Sequence, residues 1–149
     1  KGLSPRENRN LPPLNYERVY RLKEEFPDAE IILNGGIEKV ENCPSHLFYV
    51  DGVMMGRKAY DNPYQITQVD HLIFGEKKKV KSKKEILINL IPYILKQRDS
   101  GENIQMITRH VMGLAKGNKF AREIRNALAN LSLFNQPERT LVQIANKLI

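Results

Sequence analysis

Apolar positions follow two different patterns along this chain, and the change between them divides it. From Asn15 to Phe26, Tyr16, Val19, Tyr20 and Leu22 recur near helical spacing with charges between them, and Pro27 stops the run. The segment 29–33 (AEIIL) is a short apolar run after a turn signal, the pattern of a buried parallel strand, and it ends abruptly in Asn34-Gly35-Gly36. A weaker helical stretch covers Ile37 to Leu47. Residues 50–55 (VDGVMM) repeat the strand pattern and end in Gly56-Arg57, and Lys58 to Phe74 predicts helix on both sides of Pro63. Helix–strand–helix–strand–helix is the order of βα units, whose sheets are parallel and covered by helices.

From Ser82 onward only helical periods occur. Ser82 and Glu85 form a capping-box signature, and Ile86, Leu87, Leu90, Ile91, Ile94 and Leu95 continue as a wide apolar stripe to Gln97. Pro92 lies inside that stripe and predicts a kink or break. Three further helices are expected over 103–116, stopped by Gly117, over 118–131, and over 136–149. Four helices with short loops make a small bundle.

Two strands cannot form a sheet buried on both faces by themselves, and parallel sheets occur almost only within larger α/β architectures. A full eight-stranded barrel takes about 250 residues. The expected fold is therefore α/β followed by all-α: the C-terminal part of a TIM (βα)8 barrel over 1–75, then a helical-bundle domain over 76–149. An open three-layer sheet is the competing architecture. The chain opens on Lys1 in a loop-like stretch, so a piece of a longer protein is expected.

Charge sharpens the division. Residues 1–75 hold 9 Lys/Arg against 11 Asp/Glu, whereas 76–149 hold 15 against 6, so the overall excess of +7 comes entirely from the second half. Such asymmetry points the second half at a polyanion. The break falls at the lysine-rich segment 76–84 (EKKKVKSKK), where a linker is expected. With 41% apolar and 28% charged residues the composition is that of a globular protein, and no window approaches the roughly 18 apolar residues of a membrane span. Cys43 is the only cysteine, which excludes an internal disulfide and any multi-cysteine metal site; the three histidines are scattered, so no metal is expected. No strand-end position or basic neighbour marks Cys43 for activation, and it reads as a bystander.

Candidate chemistry lies at the strand ends and on one helix. Asn34-Gly35-Gly36 and Gly56-Arg57 stand at the carboxyl ends of successive strands, the end at which barrels carry active sites and phosphate sites. Glycine there lets a phosphate approach backbone N–H groups that a Cβ would shield, Arg57 offers a fork for phosphate oxygens, and Asn34 can donate and accept at a ring or ribose edge. In the second half Lys119, Arg122 and Arg125 recur every three residues, on a different face from Phe120, Ile124 and Leu128. Three cations within two turns repel one another unless an anion meets them. Arg109 and His110 could widen that surface, and Arg6 and Arg9 form another three-apart pair in the leading loop.

Taken in order, LSPRENR, NGGI, VDGVMMGRKAY and ITRHVMGLAKGNKFAREIR resemble the tRNA-dihydrouridine synthase family, and the opening is closest to its A-type bacterial subfamily. NGGI alone is shared by several flavin barrels; the combination is specific. The resemblance implies an FMN-binding TIM barrel followed by a helical tRNA-binding domain. It also implies an oxidoreductase that uses NADPH to reduce FMN and passes hydride to a D-loop uridine, at 20 or 20a, giving 5,6-dihydrouridine. Residue by residue, it places Asn34, Gly35 and Gly36 at a flavin contact, Gly56 and Arg57 at the flavin phosphate, and Arg6, Arg9, Arg122 and Arg125 at tRNA. A cytoplasmic monomer with no membrane partner is expected.

The family's catalytic cysteine, and its flavin-contacting lysine, histidine and glutamine, belong to the earlier half of the barrel. None is in this sequence, and Cys43 does not sit in the catalytic motif. The chain thus reads as the C-terminal portion of such an enzyme, inactive alone, since hydride donation without a general acid and with half a flavin pocket is not catalysis. An RNA-binding module without flavin is the alternative. A flavin barrel reducing a free pyrimidine is a third reading, and the cationic helix argues against it.

Overall fold

The computed structural model of the chain describes residues 14–148. By contact the chain divides into two compact units, Lys1–Gly56 and Arg57–Ile149.

In the first unit, α1 (Tyr16–Glu25) starts where Asn15 accepts the Arg18 N–H at 3.0 Å and ends where the Phe26 N–H returns to the Leu22 carbonyl, just before Pro27. Strands β1 (Ile32–Asn34) and β2 (Gly52–Met54) pair in parallel with Ile32 opposite Gly52, Leu33 opposite Val53 and Asn34 opposite Met54. Both are shorter than the apolar runs 29–33 and 50–55 predict. The reason is local: the Asp51 carboxylate takes the Ile31 N–H at 2.8 Å, and the Ile31 carbonyl serves both Asp51 and Gly52 N–H groups, so the ladder starts one residue later. Nor is β1 buried on both faces, because Leu33 is covered while Ile32 is 56% exposed.

Lys23 ties the same end of the sheet together. Its ammonium donates to the Pro27 and Ala29 carbonyls and pairs with Asp51, each at 2.8 Å. The helix expected over 37–47 begins late. Lys39 is extended, a 3-10 turn spans Val40–Asn42, and only then does α2 (Cys43–Leu47) form, with Pro44 in its first turn where the missing N–H costs nothing. Leu33, Ile37, Val40, Cys43 and Val50 are this unit's buried apolar residues among those described.

The second unit is helical. α3 (Arg57–Asp61), a 3-10 turn (Pro63–Gln68) and α4 (Val69–Leu72) bracket Pro63 as the pattern predicts. α5 (Lys83–Asp99) opens with the expected capping box: the Ser82 hydroxyl accepts the Glu85 N–H at 3.2 Å and the Glu85 carboxylate accepts the Ser82 N–H at 2.7 Å. A kink or break was expected at Pro92, and the helix runs through it without a break. Pro92 is exposed, so the carbonyl one turn back, left without an amide donor, lies on the side that water reaches.

The single helix expected over 103–116 is instead α6 (Gln105–Thr108) followed by a long 3-10 stretch (Arg109–Ala115). A tertiary approach accompanies this tightening. A Cβ on Gly113 would stand 2.5 Å from Pro63 Cδ, 2.9 Å from the Tyr60 carbonyl oxygen and 3.1 Å from that of Asp61. The buried Thr108 hydroxyl donates to the Leu128 carbonyl at 2.8 Å. Then α7 (Ala121–Ala129), a 3-10 turn (Leu131–Leu133) and α8 (Pro137–Lys147) complete the unit. Its core draws Leu87 and Ile94 from α5, Leu114 from the 3-10 stretch, Ile124 and Leu128 from α7, and Leu141 and Ile144 from α8.

Candidate functional site

Parallel pairing decides where the two glycine motifs lie. Because Asn34 stands opposite Met54, the chain leaves β1 into Gly35-Gly36 and leaves β2 into Gly56 at the same edge of the sheet. The three glycines are not equivalent. Gly35 and Gly36 have φ of +122° and +66°, and a Cβ on Gly36 would meet Leu14 Cδ1 and the Tyr16 hydroxyl, both at 2.6 Å. That hydroxyl donates to the Gly35 carbonyl at 2.9 Å. Glycine at 36 is thus required by the turn itself. Gly56 has no positive φ, and the nearest atom to its added Cβ is Met54 Sδ at 3.8 Å. Nothing among the described residues requires glycine there, and the open space over its backbone is the kind a phosphate can use. Asn34 is exposed beside these turns; Arg57, also exposed, opens α3 in the second unit.

The cationic stripe lies on α7 and just before it. Arg122 and Arg125 are exposed while Ile124 and Leu128 are buried, as the spacing predicts. Glu123, the acid that might have neutralised the stripe, pairs instead with Lys147 of α8. Lys119 sits over the Phe120 ring at 5.0 Å. Arg109 Nε donates to His110 Nε2 at 3.2 Å, which leaves the ring hydrogen on Nδ1, where it donates to the Tyr60 hydroxyl at 2.9 Å. Tyr60 carried no signal in the sequence, since its partner is 50 residues away. Arg6 and Arg9 lie outside the described residues.

A groove of about 380 Å³ opens between α7 and α8. Ile124, Ala127 and Ile144 form its floor, Phe134 stands at one end, and Asn126 and Gln143 stand on the rim. The Glu123–Lys147 pair joins the start of α7 to the end of α8, so the two helices run antiparallel along the groove. Neither helix alone carries a sequence pattern that marks this groove.

Cys43 is buried, and burial followed by the nearby Glu41 carboxylate pushes its thiol pKa up, the opposite of an activated nucleophile. Among the described residues no cluster of three or more His, Cys, Asp or Glu side chains could hold a metal ion, and no helix is long and apolar enough to cross a membrane.

Comparison with known proteins bears on the whole chain. The model of the dihydrouridine synthase (Dus) family matches residues 2–149. A tRNA-dihydrouridine(20/20a) synthase of Pseudomonas putida is 49% identical over 129 residues, which cover 87% of this chain and 38% of the relative. Proteins of the same name from Shewanella oneidensis and Synechocystis are 42% and 41% identical over 145 residues, covering 97% of this chain and 43% of each relative. The chain thus spans about two fifths of the length of the curated relatives it matches.

Proposed function

Because this chain belongs to the dihydrouridine synthase family, we propose that it is the C-terminal portion of a flavin-dependent tRNA-dihydrouridine synthase. In this reading residues 1–75 complete a TIM barrel and 76–149 form the tRNA-binding helical domain. The substrate is a D-loop uridine at 20 or 20a, as in the names of the relatives, and NADPH is the reductant. The observation that carries the proposal is the shared edge of Asn34–Gly36 and Gly56, set by the Asn34–Met54 register.

The residues present suit a flavin mononucleotide. The backbone at Gly56 is open, and Arg57 supplies a permanently charged fork for the phosphate. Asn34 supplies a donor and an acceptor for a ring edge. FMN bound there supplies hydride for the uracil ring. The chain's own part is to hold the cofactor phosphate and to grip the RNA. Arg122 and Arg125, with Arg6 and Arg9 of the leading segment, would lie on the tRNA backbone. Contacts of this kind give affinity with little base choice, so the selected uridine follows from how the folded RNA is oriented. The target must also leave its stack to be reached. The resemblance puts the ring-protonating cysteine in the earlier half of the barrel, so in this reading catalysis belongs to the whole protein.

The test is a double dissociation in the full-length protein. Arg57→Ala should purify with less flavin, read by visible absorbance, while its tRNA affinity holds; Arg122→Ala should keep its flavin and bind tRNA more weakly. A wild-type protein without flavin absorbance would favour an RNA-binding module that is not an enzyme.

A further inference from the structure

We propose that the groove between α7 and α8 is a nucleobase subsite, taking one unstacked base of the RNA whose backbone lies on Arg122 and Arg125. This inference rests on the tRNA-binding reading and deepens it. The groove's volume of about 380 Å³ lies within the range of small-molecule sites. Its floor of Ile124, Ala127 and Ile144 is apolar, and Phe134, 42% exposed, offers a ring on which a base can stack. Asn126 and Gln143, exposed on opposite helices, bring amide groups to the rim. Each presents both a donor and an acceptor, the combination that pairs with base edges.

Charge places the base relative to the backbone. Asn126 follows Arg122 by one helical turn, so the two lie on the same face of α7. An RNA strand whose phosphate meets Arg122 therefore has a neighbouring base within reach of the groove. The Glu123–Lys147 pair closes one end of the groove and withdraws the acid from the phosphate path. A solvated helix pair accounts for the arginines but not for an apolar floor edged by two amides beside them. A protein partner would gain little from a groove beside the exposed cations Arg122 and Arg125, whereas a nucleotide uses both parts.

The experiment measures binding of an unmodified tRNA transcript to the full-length protein across a salt series, with chemical probing of base edges in the RNA. Asn126→Ala/Gln143→Ala, at two exposed positions, should weaken binding about tenfold with the slope of log K against log salt unchanged. One loop base protected by the wild-type protein should become reactive again. Ala127→Leu, which fills the floor, should do the same, and Arg122→Ala should instead lower the slope by about one. Unchanged affinity and protection in the amide double variant would overturn the subsite while leaving the tRNA reading intact. A lowered slope in that variant would also overturn it, since the amides would then lie on the phosphate path. Absence of any tRNA binding by the wild type would remove both readings together.

Discussion

The two units spend their apolar residues differently. In Arg57–Ile149, α5, α7 and α8 enclose one continuous core, and the side chains of Leu87, Ile94, Leu131 and Leu141 are fully buried. In Lys1–Gly56 the buried set is five residues among those described, while Phe48 is 83% exposed and Ile32 and Met54 stand half exposed on the strands. The helical unit is built around its own interior; the sheet unit is built around polar fastenings, with Lys23 and Asp51 joining α1, the turn after it and the starts of both strands. Barrel strands put stability at their amino ends and chemistry at their carboxyl ends. In the first unit the Lys23–Asp51 fastening lies at the amino ends of the two strands and the glycine turns at their carboxyl ends.

The contrast is sharpest in the interior. Leu128→Ala should cost about 2–5 kcal/mol by leaving a cavity in the helical core, read by thermal or urea unfolding, and Val40→Ala in the sheet unit should cost less. Equal losses would mean that both units depend on packing to the same degree. Glycine substitutions give the next test. Gly113→Ala forces a methyl against the Tyr60 and Asp61 carbonyls and should cost about 1–3 kcal/mol. Gly36→Ala should cost about 1–2 kcal/mol for its left-handed backbone, and more as Tyr16 is displaced. Gly56→Ala should leave stability unchanged and lower flavin content only; a destabilised Gly56→Ala protein would remove the reason to place a ligand there.

A smaller effect belongs to Arg125→Ala, which should lower the salt slope of tRNA binding by about one without touching stability. The smallest is acidic. The Asp51 carboxyl is held below its ordinary 3.8 by the Lys23 hydrogen bond and then by the Ile31 N–H, and Glu85 below 4.5 by the Ser82 N–H and hydroxyl. A depressed carboxylate stabilises the fold above its unfolded pKa and loses that contribution as pH falls through the folded one. The Tm gap between wild type and Glu85→Gln should therefore begin to close below about pH 4.5, and that for Asp51→Asn below about 3.8. Gaps that stay constant through acid would show that neither charge matters.

What the sequence revealed follows from the range of the forces involved. Local signals were fully legible: the Ser82–Glu85 capping box, the stop at Pro27, and the inward face of α7 all depend on neighbours within a turn. The parallel sense of the pairing was implied by the βα order, and with it the common end of the glycine turns, whereas the register was not. Illegible features depend on distant residues. The shortened β1 reflects an Asp51 side chain 20 residues on, and the 3-10 stretch over Arg109–Ala115 lies where Gly113 meets Tyr60 and Pro63. Gly36 and Gly56 looked alike in the sequence, and only the atoms around them distinguish a turn requirement from an open backbone. The groove stayed hidden because α7 and α8 contribute to it equally and neither helix carries an unusual pattern alone.

Cys43 has one further use. It is the only cysteine in the chain, it lies inside the sheet unit, and its thiol is both shielded and hard to ionise. An alkylating reagent must wait for that unit to breathe before it can react, so the labelling rate of the unaltered chain is a clock for opening of the sheet unit alone, since the second unit holds no cysteine.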